Sequence, residues 1–435
     1  MKRHGVLTLI LLVLFSTSYA QTPDKAKLDL FFDQLSDNNK AMGSLIITEN
    51  NNITYSRIIG YSQVNEKEKI PLTAATRYRI GSITKTFTAT ITFQLIEEGK
   101  LKLDDTIDKF FPQIPHAGKI TIQQILAHRS GISNATRGGD SKTNPITEEE
   151  RLALIVGSKP EFAPDEKYSY SNTGYVLLGY IIEKITEKPY QEVLNERITS
   201  KIGLLDTYLG TGYTDVSKNE CYSYGYYGRW QQLTETHLSI PAGAGAIIST
   251  PADLTKFIQA LFDGKLVSKK SLDVMMQKQL GMEAFIHNGK TFYGHAGGID
   301  NFGSWMVYLP EEKLTLAYAT NAKVYPVSDI IDGVFDIYWN KPFTIPSFES
   351  IAVDPEILDQ YIGVYSNLEA PMKFIITRDG TTLCWQQNTD SIPLESTAID
   401  KFKIDPPGIF FEFDATKKQM ILKRAGIERV FTKEE

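Results

Sequence analysis

Cysteine is almost absent from this 435-residue chain. The two present, Cys221 and Cys384, lie far apart; an oxidising compartment would permit a disulfide, but two cysteines make neither a disulfide framework nor a metal site. Histidine is also sparse, six residues with none at ligand spacing, so no metal is expected. An excess of positive charge is missing too. Lys and Arg number 46 against 52 Asp and Glu, and the net charge of −6 offers no field to nucleic acid or to an anionic membrane. Beyond residue 20 no run is apolar enough to span a bilayer. The expected partners are small molecules or peptides, and nothing in the pattern specifies an oligomeric state.

What the chain does have begins at its N-terminus. Lys2 and Arg3 precede an apolar run from Val6 to Phe15, and Ser18-Tyr19-Ala20 offers small residues at a cleavage position. The run is shorter than the roughly 20 residues that span a bilayer, so residues 1–20 read as a secretory signal rather than an anchor. The residue after Ala20 is Gln21, not cysteine, so no lipid anchor is expected. Export is expected, to the periplasm in a double-membraned bacterium or to the medium.

With 42% hydrophobic residues the remainder can bury large cores. Leu28, Phe31, Phe32 and Leu35 recur at helical spacing between residues 23 and 40. Residues 42–49 and 53–60 are β-branched runs separated by Asn50-Asn51-Asn52, the pattern of a hairpin. A helix is expected from Ser82 to Gly99, another near Thr147 with three glutamates in its first turn, and an apolar one from Thr173. Thr250 and Pro251 read as the cap and first position of a further helix. The Tyr- and Gly-rich stretch 221–230 reads either as a pocket lining or as an edge strand and turn. Residues 304–309 and 314–320 read as adjacent strands. A proline-bearing stretch, 341–355, reads as a linker. Beyond it, short strands at close spacing with almost no helical signal predict a separate β-domain over 356–435.

Within this frame, Gly81-Ser82-Ile83-Thr84-Lys85 carries chemistry. A serine and a lysine three apart on a helix share a face, so the amine can take the hydroxyl proton. A helix N-terminus favours the developing negative charge through unpaired N–H groups and the macrodipole. Taken alone, the spacing is equally that of a Ser near a helix start with a solvated Lys one turn on. Tyr170 alone reads as a packing tyrosine, Asn172 as a helix cap, and His295 and His128 as structural histidines.

Three motifs in order change this: Ser82-Ile83-Thr84-Lys85, Tyr170-Ser171-Asn172 and His295-Ala296-Gly297. With flanks such as His128-Arg129-Ser130-Gly131 and Thr173-Gly174-Tyr175-Val176, the chain from Leu28 to Ile337 resembles the class C-like branch of the serine β-lactamase and penicillin-binding protein superfamily. The resemblance implies an α+β fold, an antiparallel sheet flanked by helices beside an all-helical region, here over residues 21–340. The C-terminal all-β domain is expected to be a lipocalin-like barrel or a sandwich. The resemblance further implies an acyl-serine at Ser82 and proton transfer by Lys85 and Tyr170, either of which can be the base. Asn172 would hold the substrate amide and orient Lys85, and His295 would help position Tyr170 and substrate. Backbone N–H groups of Ser82 and Gly298, beside Gly297, would form an oxyanion hole, and no cofactor is required.

Two residues depart from the family pattern. Ala296 replaces a hydroxyl residue that helps hold a substrate carboxylate, and His295 stands in place of a lysine. The expected reaction is therefore cleavage of peptide, amide or ester bonds, D-Ala-D-Ala carboxypeptidase- or D-aminopeptidase-like, ahead of β-lactam hydrolysis. A class C-like esterase is the nearest alternative, and a non-catalytic binder of cell-wall fragments is the alternative from another class. The β-domain either caps the cleft or stabilises the chain. Export carries its own test: mass spectrometry of the mature protein is expected to find the chain starting after Ala20, and a mature form retaining Met1 would refute it.

Overall fold

The structure, a computed structural model, describes residues 23–434 except 66, 135–141, 349, 368–369, 388–389, 405–407 and 425–426. The signal segment, 1–20, lies outside the described residues. Helix α1 (Lys25–Asp37), capped by Asp24, presents Leu28, Phe31, Phe32 and Leu35 to the core, the four positions set by its spacing. The hairpin follows as strands β1 (Ala41–Glu49) and β2 (Asn52–Ile59). The remaining strands of its sheet come from far along the chain: β3 (Glu283–His287), β4 (Lys290–Ile299), β5 (Phe302–Leu309) and β6 (Leu314–Lys323). Their spatial order is β3-β4-β5-β6-β1-β2, with every neighbouring pair antiparallel.

Helices cover both faces, which is why β1 and β6 are buried along nearly their whole length rather than at alternate residues. On one face α1 and a later helix, Val327–Tyr338, share a core of Phe31, Leu316, Val334 and Phe335. On the other lies the helix Pro251–Phe262, capped by Thr250 with Pro251 in its first turn. Its Phe257 stacks on Phe87 with ring centroids 3.6 Å apart. Phe87 belongs to α2 (Thr84–Glu97), buried all round between the sheet and the helical region. Three threonines of α2 are satisfied there by donation: Thr90 and Thr92 donate to the carbonyls one turn back, and Thr88 donates to Gly243 O at 2.6 Å, whereas the buried Thr86 hydroxyl has no partner among the described residues.

The helical region centres on α3 (Asn172–Thr186), which packs on α2. A Cβ at Gly174 would lie 2.9 Å from Ile125 Cγ2, so the helix approaches its neighbour at that point with only a hydrogen between them. The helix Glu148–Gly157 carries the expected Thr147 cap and three glutamates in its first turn.

Among the described C-terminal residues, nine strands form one antiparallel sheet, not two packed sheets. Its edge strands, Asp390–Pro393 and Glu395–Ala398, are separated in sequence by Leu394 alone. The sheet therefore curls into a nearly closed barrel around Phe374, Ile376, Phe411 and Phe413. The stretch 341–355 is packed at both ends: Phe343 lies edge-on against Phe31, 5.1 Å between centroids, and Val353 joins the barrel core. The region beyond it also contains a helix, Pro355–Tyr361, whose first turn is capped by Asp354 and pre-shaped by Pro355.

The barrel docks on the catalytic unit away from Ser82. Lys40 pairs with Glu395, and Tyr227 packs against the barrel core beside Gly228 and Pro393. The Tyr-rich stretch 221–230 is a small hairpin, Tyr224–Tyr226 with Trp230–Gln232, and its tip lines a cavity of about 760 Å³ at this junction. None of the described barrel residues lines either cleft near Ser82.

Candidate active site

Between Tyr78 and Leu95 every residue is buried except Ser82. The chain thus opens one hydroxyl to a cleft at the end of its most buried helix. Ser82 sits in a 3₁₀ turn, Gly81–Ile83, and α2 proper starts at Thr84, so the helix begins two residues later than the sequence pattern predicts. The cause is close backbone approach. Gly81 has φ +51°, and a Cβ there would lie 2.7 Å from Gly298 N. At Gly297 a Cβ would lie 2.1 Å from Ile80 O and 2.3 Å from Ser304 Oγ. Strand β4 and the turn before α2 therefore touch backbone to backbone, which brings Gly298 beside Ser82.

Lys85 is 0% exposed and donates to Ser82 Oγ at 3.0 Å and to Ala244 O at 2.8 Å. Burial lowers its pKa to about 7, with Glu283 opposing the shift. Near neutral pH the amine is thus available as a proton acceptor. The Ala244 carbonyl shares the Lys85 ammonium with Ser82. Asn172 opens α3, its backbone N–H donates to Asn134 Oδ1 at 3.3 Å, and it lines the Ser82 cleft. The signal for Ala244 was its setting, Ala242-Gly243-Ala244-Gly245, small residues where backbones meet.

The Lys85 ammonium lies 4.8 Å from the centre of the Tyr170 ring, so the first two motifs meet. Tyr170 in turn stacks on His128, 4.3 Å between centroids at 25°. His128 is the residue that the motif reading left as a structural contact. It is buried, adopts φ +55°, and accepts the Ser171 N–H at Nδ1 while its carbonyl accepts the Ser169 N–H. Both bonds fix the loop that carries Tyr170. Gly131, φ +70°, shapes the turn behind it, so the flank His128-Arg129-Ser130-Gly131 held the signal.

His295, 4% exposed, lies on β4 with its ring 6.4 Å from that of Tyr170, and donates from Nδ1 to Ala296 O. Burial, reinforced by Lys85, lowers its pKa to about 3, and the same causes hold His128 at about 3. Both rings are neutral at physiological pH. A cation at position 295, as a lysine would supply, is absent.

Two clefts open here. One of about 150 Å³ is lined by Ser82, Asn172, Thr236, Ala244 and Gly298. The other, about 240 Å³, is lined by His128, Tyr168, Tyr175, Glu283 and His295. Burial raises the Glu283 pKa, with Lys85 opposing the shift. The larger cavity at the barrel junction holds none of these groups. The two cysteines are both buried and unbonded.

A family model described as Beta-lactamase matches residues 28–336. Among curated relatives, "Penicillin-binding protein 4*" of Bacillus subtilis (strain 168) is 25% identical over 445 residues, 93% of each chain. "Protein flp" of Staphylococcus aureus (strain MW2) is 27% identical over 310 residues, 66% of this chain and 61% of its own. Among solved structures, D-amino acid amidase from Ochrobactrum anthropi SV3 complexed with D-phenylalanine has a TM-score of 0.62 at 27% identity, covering 72% of this chain and 99% of its own. The octameric penicillin-binding protein homologue from Pyrococcus abyssi also has a TM-score of 0.62, at 25% identity, covering 94% and 100%.

Two measurements follow from this geometry. Because Lys85 accepts a proton only when neutral, the acylation rate at Ser82 is expected to rise with pH through an apparent pKa near 7. Lys85→Met is expected to lower that rate by about 10²–10⁴-fold, read by stopped-flow release of p-nitrophenol. His128→Ala, which removes the ring under Tyr170, is expected to lower kcat by about tenfold with KM little changed; steady-state kinetics decide it, and an unchanged kcat would refute the positioning role.

Proposed function

We propose, from the premise that the chain belongs to the Beta-lactamase family, that this serine hydrolase cleaves amides or short peptides of D-amino acids through an acyl-serine at Ser82. The observation that carries the reading is the Lys85–Ser82 hydrogen bond of 3.0 Å from an amine whose pKa burial has lowered to about 7. Neutral Lys85 takes the hydroxyl proton as Ser82 Oγ attacks the carbonyl carbon. The N–H groups of Ser82 and Gly298 receive the developing oxyanion, and such donors are worth about 10²–10³ in rate each. The C–N bond breaks as a proton passes through Tyr170 to the leaving amine. Water then enters, gives its proton back along the same groups, and releases the acid from Ser82.

The preference for amides and esters rests on what the β4 strand lacks. Ala296 has no hydroxyl, and His295 is neutral and buried, so neither favours a free carboxylate. The likeness to D-amino acid amidase supports the D-configured amide. Export through the N-terminal signal would place the enzyme where cell-wall peptides and their fragments occur.

A second reading, a carboxypeptidase acting on peptides with a free C-terminus, draws on Lys323. Its ammonium lies 3.7 Å from where a Cβ on Gly298 would sit, and burial lowers its pKa. A panel of D-phenylalanine amide, D-Ala-D-Ala peptides, p-nitrophenyl acetate and a chromogenic cephalosporin separates the readings. The amide and ester are expected to exceed the peptides by about tenfold or more in kcat/KM, and Ser82→Ala to abolish turnover. Peptides preferred in the wild type, with that preference lost in Lys323→Ala, would favour the carboxypeptidase instead. No turnover of any substrate and no fluorophosphonate adduct on Ser82 would leave the non-catalytic binder.

A further inference from the structure

One buried ionic cluster beside the cleft takes no part in the proton transfers. Arg79 precedes Ser82 by three residues and Asp300 follows Gly298 by two. Their side chains are 2% and 3% exposed and face each other at 3.9 Å. Between them lies Thr236, on the cleft wall. Asp300 accepts both the Thr236 N–H and the Thr236 hydroxyl at 2.8 Å, and Arg79 Nη1 donates to Thr236 O at 2.6 Å. Thr236 cannot shift without breaking bonds on both sides.

Two further charges complete the cluster. Glu235 pairs with Arg79 at 3.0 Å and is held in its own loop by the Ser223 N–H and the Thr214 hydroxyl. Lys142 reaches Asp300 at 2.9 Å and Thr234 O at 2.6 Å. Two cations and two carboxylates thus balance. Arg79, Asp300 and Glu235 are buried while Lys142 is half-exposed, and burying such charges gains little net stability over apolar packing, because desolvation offsets the attraction. What the arrangement supplies is a fixed distance between three chain segments. One ends in Ser82, one carries Gly298, and one walls the cleft.

We propose that Arg79 and Asp300, gripping Thr236, are positioning residues that set the spacing of the Ser82 and Gly298 N–H groups. The proposal rests on the reading of Ser82 as the nucleophile. Oxyanion donors act only within about 2.7–3.1 Å of the oxygen they stabilise, and the glycine contacts bring the two backbones together without fixing their slide along each other. The clamp supplies that restraint from outside the reacting atoms.

Asp300 has φ +50°, a conformation asparagine shares, so Asp300→Asn leaves the turn intact while removing charge. The test compares Asp300→Asn, Arg79→Gln, their double variant and the milder Thr236→Val. Rates are expressed per site titrated to completion with a fluorophosphonate, so misfolded protein does not count. The first two are expected to lower kcat by about ten- to a hundredfold and leave KM within about twofold. Affinity for a boronic acid that forms the tetrahedral adduct on Ser82 should fall in parallel. The double variant should be no worse than the worse single one, since either break frees Thr236. Thr236→Val is expected to lose about threefold in both measurements. An unchanged kcat per titrated site, a loss confined to KM, or a boronate affinity that stays constant while kcat falls would overturn the clamp. Wild type and Ser82→Ala equally inert on every substrate would overturn the hydrolase reading itself, and the clamp with it.

Discussion

An ammonium buried without a carboxylate against it is the constraint on which the rest of the catalytic unit depends. Lys85 has no access to solvent, and its hydrogen-bond acceptors are a hydroxyl and a carbonyl, both neutral. Desolvation of a charge in such a place is expensive, so the group tends toward its neutral form. The surrounding side chains respect this. Where a further cation would raise the cost, the chain places two histidines that are themselves neutral, His128 and His295. The nearest acid to act on Lys85, Glu283, is half-buried and only moderates the shift.

That burial in turn dictates the architecture. A helix carrying Lys85 inward must be enclosed on all sides, and α2 is, with the sheet and the helix Pro251–Phe262 on one flank and α3 on the other. Thr88, Thr90 and Thr92 meet the resulting demand for satisfied hydrogen bonds by donating to Gly243 and to their own helix. The N-terminal end of the helix lies where two backbones come too close for side chains, at Gly81 and at Gly297. The same contact that stops the helix early leaves Ser82 as the one opening in the stretch.

Around this centre the fold is layered by function. The six-stranded sheet holds His295 and Gly298 on one strand, and the helical region holds Tyr170 on the loop before α3 and Asn172 at the start of that helix. The cleft is the seam between them. The barrel stands behind the seam, joined through Lys40 with Glu395 and through the hairpin tip at Tyr227, and so adds buried surface without entering the cleft.

Much of this was legible in the linear chain, for identifiable reasons. Periodicity marked α1, β1 and β2, capping residues marked the helices at Thr147 and Thr250, and the order of three motifs marked the acylation centre. Those signals are local, carried by residues within one turn or one strand of each other. The helix Pro355–Tyr361 was missed although Asp354 and Pro355 announce its start, because seven residues, about two turns, carry too little periodicity. The parts played by His128 and Ala244 went unassigned for a different reason. One acts by stacking its ring on Tyr170 and the other through a backbone carbonyl, so the flank and the small-residue setting mark the positions without saying what they touch. The sequence by itself determined the broad class, a serine hydrolase of the Beta-lactamase family, because three motifs that are weak singly occur together and in order. Only the tertiary structure decided what the groups in those motifs are in place: it withdrew Lys85 and His295 from water, which lowers the pKa of both. It also brought Gly81 against Gly298 from more than two hundred residues away, because proton affinity and backbone approach are properties of the packed surroundings and not of the residues themselves.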